Sequence, residues 1–241
     1  MNSLITLYLV LATAVTAFVP SFTDTHTSSF TQRKRHQSQS QIQAFASKNV
    51  ESLLKKNRAK LDDLATIAPD LSEISRLRFA LTFPDRFESR MAIREAVSYR
   101  DGEGKSIVEA AARAVAAATA VDGKWNNDFV RDNAPHAAVI NRYISPKNII
   151  TLSNDNGDLI YVIRASSIND RQLMSRVSVK QMSEFFCYVK EVHNIVANIR
   201  SEKTGRLCEV VFANDISGVR AIPDPRFSQA LTQSSQQYER L

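Results

Sequence analysis

The chain of 241 residues carries 31 Lys and Arg against 25 Asp and Glu, a net charge of +6, with 44% apolar residues. That apolar share can build the core of one fair-sized domain or two small ones, which argues against a largely disordered chain. The charge is moderate and lacks a dense basic stripe with interleaved aromatics, which argues against a nucleic-acid binder; the "KKNRAK" cluster, Lys55 to Lys60, reads as a solvated helix face. Two cysteines, Cys187 and Cys208, make no disulfide framework, and a helix and a strand are their expected homes, each as a small buried hydrophobe.

At the N-terminus, "MNSLITLYLVLATAVTA" has no charged side chain and an apolar run, Leu4 to Val15, too short to span a membrane comfortably. Ala14-Val15-Thr16-Ala17 ends it with small residues flanking a bulkier one, as a signal-peptidase site prefers, although the usual basic n-region is absent. The stretch that follows is rich in Ser, Thr and Gln, with Arg33-Lys34-Arg35 and a single acid, Asp24, before Lys48. This is transit-peptide composition, and it cannot bury enough apolar area to order itself. The junction "TAFVP", Thr16 to Pro20, resembles the bipartite plastid-targeting signal of diatoms and related algae with complex plastids, where a phenylalanine follows the signal peptide directly. The resemblance implies cleavage before Phe18 and a plastid destination through the secretory pathway, with secretion as the alternative. No N-x-[ST] sequon is present. We therefore expect a signal peptide over 1–17 and a disordered transit peptide over 18–47.

From about Lys48 the spacing predicts helices. "ESLLKKNRAKLDDLATI" places Leu53, Leu54, Leu61, Leu64 and Ile67 on one side. Pro69-Asp70 predicts a second helix capped by Asp70, with Glu73 three residues on and Leu71, Ile74, Leu77 and Leu81 as its apolar residues. Pro84-Asp85 opens a third that runs to Arg100, and Asp101-Gly102 predicts its stop with Gly102 left-handed. There "RDGEGKSIVEA" raises the question of a phosphate loop, because Gly104-Lys105-Ser106 repeats the end of G-x-x-x-x-G-K-[ST]. The first glycine of that motif would stand at position 99, which is Tyr99, and a helix rather than a strand precedes it, so a helix–turn–helix connection is the reading. "KSIVEAAARAVAAATAV" predicts a fourth, alanine-rich helix ended by Asp122-Gly123, and short helices follow over "NDFVRDNA" and "HAAVINRYI".

At Ile149 the character changes. "IITLSNDNGDLIYVIR" is a hairpin pattern around Asn154-Asp155-Asn156-Gly157, and its second run, Leu159 to Ile163, is apolar throughout, as for a strand covered on both faces. Ser178 and Gln181 form a capping box for a long helix bearing Met182, Phe185, Phe186, Val189, Val192, Ile195, Val196 and Ile199. Thr204-Gly205 closes it, "RLCEVVFAND" predicts another strand, and the polar helix "PRFSQALTQSSQQYERL" comes last. Strand, crossover helix and strand make a right-handed βαβ unit with a locally parallel sheet. The expected class is thus α/β: a helical module over 48–134, then a mixed, partly parallel sheet with crossover helices over 135–241.

Candidate chemistry is sparse. His136 and His193 have no clustered ligands at metal spacing, and His193 reads as a satisfied helix-face histidine. There is no G-x-S-x-G elbow. Asp215, in "NDISG" at the end of the second parallel strand, is either a functional acid or a turn carboxylate. No enzyme, metal or cofactor is expected. Tyr161, Ile163, Phe185, Tyr188, Val192 and Phe212 either line an apolar cavity or form plain core, and periodicity leaves both open.

The order of "LRFALTFPDRFESRMAIREAVSYR", "NGDLIYVIRASSIND", a long helix and "GRLCEVVFANDISGV" resembles the CRAL-TRIO lipid-binding family over about Leu53 to Leu241. Leu77-Arg78-Phe79 and Tyr99-Arg100 match its helical module, Gly157-Asp158 to Arg164 its strand after a glycine turn, and Val210 to Gly218 its strand ending in an acid and a glycine. The resemblance implies a hydrophobic pocket over a mixed sheet, holding one phospholipid or similar molecule for transfer between membranes. It makes Tyr161, Ile163, Phe185, Tyr188, Val192 and Phe212 pocket wall, and implies a monomer with peripheral membrane contact and no nucleic-acid partner. Family members continue with a tyrosine-proline-glutamate segment, more strands and a gate helix where this sequence reads Tyr238-Glu239-Arg240-Leu241, so a domain truncated at its C-terminus is expected. The rival expectation is a regulatory scaffold that docks on membranes without cargo.

Overall fold

A computed structural model describes residues 48–118, 127–215 and 224–238, all within one compact unit, Ala44–Leu241. The signal-peptide and transit readings, the Phe18 junction, the Asp122-Gly123 stop and residues 216–218 of "NDISG" lie outside the described residues. The chain is mixed α/β and mostly helical, with a three-stranded sheet.

The first predicted helix is two, α1 (Val50–Lys56) and α2 (Arg58–Ala65). Asn57 breaks it, donating its side-chain amide to the Leu53 carbonyl at 2.8 Å and so satisfying an orphan acceptor of α1. The predicted apolar side survives the break: Leu61 and Leu64 are buried, with Leu53, Leu54 and Ile67 packed against the same core. Helix α3 (Glu73–Thr82) begins later than the sequence implies, because Ser72 rather than Asp70 caps it, accepting from the Ser75 N–H at 3.1 Å. The Arg76 guanidinium holds the Ala68 and Leu71 carbonyls, which fixes residues 68–71 as a turn. Leu81, expected on the apolar side, is exposed in the last turn, while Phe79 and Ala80 are buried.

Helix α4 (Arg86–Asp101) starts at Asp85 as predicted, its carboxylate accepting from the Phe87 and Glu88 N–H groups. Gly102 ends it, but at φ −109° and not in the left-handed region. A Cβ there would lie 2.9 Å from the Ser98 carbonyl oxygen, so close approach and not the sign of φ requires glycine. The turn leads straight into α5 (Lys105–Ala117), and the Tyr99 ring lies on Gly104, where a Cβ would fall 2.0 Å from its Cε1. The Gly-Lys-Ser triplet therefore sits between two helices, and the glycine a phosphate would approach is covered.

Short helices α6 (Asp128–Asp132) and α7 (Ala137–Ile140) lead to the sheet. Strand β1 (Ile149–Ser153) pairs antiparallel with β2 (Leu159–Arg164), and β2 pairs parallel with β3 (Val210–Asp215). The hairpin turn places Gly157 at φ +86°, where glycine carries no Cβ penalty. Between β2 and β3 run α8 (Asp170–Met174) and the long α9 (Val179–Thr204), which opens on the reciprocal Ser178–Gln181 capping box and closes at Gly205, φ +66°. Helix α10 (Pro225–Tyr238) packs along α9.

Two hydrophobic cores result. One joins α1–α4 through Leu61, Leu64, Leu77, Ile93 and Ala96. The larger surrounds α9, which is buried against α5 and α10 as well as the sheet. Of its predicted apolar stripe, Ile199 is exposed, whereas Cys187, Tyr188 and His193 are buried outside that stripe. The arginines of the two helical-module motifs bridge the cores: Arg78 donates to Asn198 and to the Cys208 carbonyl, both at 2.7 Å, and Arg100 pairs with the buried Glu191 at 2.8 Å. Cys187 lies in α9; Cys208 lies two residues before β3, and both are buried free thiols.

Candidate functional site: the open face of the sheet

Alternate residues of a strand point to opposite faces. In β1 and β2 the odd-numbered Ile149, Thr151, Leu159, Tyr161 and Ile163 are buried, and Val210 and Phe212 of β3 pack on the same core beneath α9. The even-numbered residues of β1 and β2, with the odd-numbered Val211, Ala213 and Asp215 displaced by the parallel register, are accounted for by pairing. Leu152, Ile160 and Val211 form one cross-strand row, Ile150, Val162 and Ala213 the next, and Arg164 stands in register with Asp215 beyond them. The pairing Tyr161↔Phe212 keeps the covered residues together in the same way.

None of those six aliphatic residues belongs to either core. Leu152 is 47% and Val211 43% exposed, and the other four are half-buried. The six side chains in two adjoining rows form one contiguous aliphatic strip, exposed at Leu152 and Val211 and half-buried elsewhere.

The covered face is chemically different. His193 of α9 is fully buried, its Nδ1–H donating to the Val189 carbonyl at 2.5 Å and its Nε2 accepting from the Thr151 hydroxyl at 2.7 Å. Burial pushes the imidazole down to about 4, against the smaller upward pull of the Val189 carbonyl. The Tyr161 ring meets His193 edge-on at 5.0 Å and Phe212 at 5.6 Å, and burial drives its phenol well above the ordinary range. Its hydroxyl is buried with no hydrogen-bond partner among the described residues. At the base of the sheet, burial alone would raise Asp158, but both arms of Arg206 at 2.8 Å, with the Glu209 N–H and Asn154, hold it well below the usual carboxylate range. That clamp ties the hairpin turn to the start of β3 and fixes the register of the open face.

The six residues expected as pocket wall all belong to the larger core or pack on it: Tyr161, Ile163, Phe185, Tyr188 and Val192 are buried, and Phe212 is half-buried. Tyr188 donates its hydroxyl to the Val130 carbonyl at 2.7 Å. A small cleft of about 40 Å³ lies elsewhere among residues such as Tyr99, Lys180, Glu184 and Gln237, and none of the six lines it. Asp215 ends β3 and is not free of partners. His136 reaches Glu184 at 2.7 Å from a left-handed backbone, φ 60°. Among the described residues no cluster of His, Cys, Asp or Glu is suited to a metal ion, and no helix is long and apolar enough to cross a membrane.

The open rows were missed at the sequence level, although a sign of them was present. The unbroken run Leu159 to Ile163 demands cover on two faces, and α9 supplies cover for one. Compared with protein families, curated proteins and solved structures, the chain matches none.

Proposed function

We propose that this protein holds a single hydrophobic lipid against the open face of its sheet and transfers or presents it between membranes, as a CRAL-TRIO protein would. The observation that carries the reading is the double row of Leu152, Ile160, Val211, Ile150, Val162 and Ala213, aliphatic yet uncovered by either core. With strands about 4.8 Å apart and residues about 3.3 Å along them, the strip is roughly 10 Å by 13 Å up to Arg164. Covering some 130 Å² of apolar surface is worth about 3 kcal/mol on the protein side, and the lipid tail adds a comparable amount. Such a hold is strong enough to shield a tail and weak enough to release it at a bilayer. No bond is made or broken on this reading. Exchange between plastid membranes, implied by the Phe18 junction, belongs to the same proposal.

Native mass spectrometry of the full chain, purified from cells with a rich lipid pool, tests it. The expected result is a discrete added mass that organic extraction identifies as one lipid class, lost in Leu152→Thr/Val211→Thr. A folded protein without adduct contradicts the reading. Salt-sensitive attachment to vesicles with no extractable lipid would instead favour the scaffold alternative.

A further inference from the structure

The open face has a charged end. Ile160, Val162 and Arg164 project from the same side of β2, so Arg164 stands at the end of the aliphatic strip, its Cα about 13 Å along the strand from that of Ile160. Arg164 is exposed and makes no ion pair among the described residues. Its register neighbour Asp215 is engaged in an interaction of its own, which does not involve Arg164. The strip itself offers no aromatic ring against which a fused-ring lipid could stack, and no hydroxyl or amide to recognise a neutral polar head.

A guanidinium is always charged and presents a planar fork of N–H donors that matches a carboxylate or a phosphate with two parallel hydrogen bonds. It has no equivalent complement to an alcohol, which is a neutral and weaker acceptor. Placed where a tail lying along β2 would bring its head, this fork distinguishes ligands by charge, while the aliphatic rows accept any flexible tail. We propose that Arg164 is the specificity-determining residue of the open face, and that it selects acyl lipids with an anionic head over neutral amphiphiles with the same tail. The inference rests on the lipid reading, and it names both the ligand class and the residue that chooses it.

Equilibrium dialysis of the full chain against hexadecanoate and hexadecanol, each below its aggregation concentration, separates the two ideas. The parent should bind hexadecanoate at least about tenfold more tightly than hexadecanol, the scale of one charge-assisted pair of hydrogen bonds. Arg164→Gln should bring the ratio close to one by weakening the acid alone, and Arg164→Lys should restore part of the preference as a charge without a fork. Because the side chain is exposed, both variants should melt with the parent. Equal binding of acid and alcohol by the parent, or a ratio that survives Arg164→Gln, overturns the role of Arg164 and leaves the lipid reading standing. Failure of the parent to bind either ligand overturns both.

Discussion

The two faces of the three-stranded sheet are built from alternate residues of the same strands and have opposite chemistry. The face under α9 mixes rings with polar groups: Tyr161, Phe212 and His193 meet edge to edge, and the Thr151 hydroxyl satisfies the imidazole. The open face is aliphatic until Arg164 and Asp215. Usual practice would be the reverse, since an antiparallel or mixed sheet with one solvated face keeps its polar residues outside. The difference teaches that burial beneath a helix accommodates the imidazole of His193 because its partners Thr151 and Val189 are built in, whereas the aliphatic rows opposite are the seat proposed for an apolar occupant.

Substitutions that treat the faces alike should have unlike effects. The largest belongs to Tyr161→Ala, which opens a cavity beneath α9 and should cost about 3–5 kcal/mol in urea unfolding; a loss below 1 kcal/mol would mean that the covered face is loosely packed. Acid comes next. Folded His193 sits near 4 and its unfolded value is about 6.5, so the folded state binds the proton less readily. Its contribution is present above pH 6.5 and lost as the pH falls towards 4, on the order of 3 kcal/mol in total. Unfolding free energies measured between pH 7 and pH 4 should therefore fall more steeply for the parent than for His193→Asn; parallel curves would remove the imidazole from the account.

A smaller change of opposite sign is expected from Tyr161→Phe. The phenol oxygen is buried without a partner among the described residues, so removing it should stabilise the fold by about 1 kcal/mol, read as a raised urea midpoint. A lowered midpoint would show that the hydroxyl is satisfied. The smallest effect falls on the open face. Leu152→Thr and Val211→Thr keep β-branched or strand-compatible side chains at positions 47% and 43% exposed, and each should shift stability by no more than about 0.5 kcal/mol.

Local signals were the legible part of this fold. The Asn156-Gly157 turn, the Ser178–Gln181 box, the Asp85 cap and the Gly205 stop each depend on a few adjacent residues, and each stands where the sequence places it. Boundaries set by a side chain reaching back to a main-chain carbonyl were not legible, because helix spacing carries no sign of it. Arg76 reaching back to the Ala68 and Leu71 carbonyls delays α3 to the Ser72 cap, and Asn57 divides a helix whose apolar spacing runs on unbroken. The sheet faces show the same limit. "LIYVI" is apolar on both sides, and nothing within it tells which side α9 covers. Aromatic content drew attention to Tyr161 and Phe212, which lie on the covered side, while the uncovered aliphatic rows appear once β1, β2 and β3 are in register.

Transfer of a lipid from donor to acceptor vesicles, run with the parent chain and with Leu152→Thr/Val211→Thr at equal folded concentration, tests the role of the open face most directly. The account expects the parent to accelerate transfer and the double variant to lose that acceleration while unfolding at nearly the same urea concentration. Equal transfer by the two proteins, or no acceleration by the parent, would contradict it.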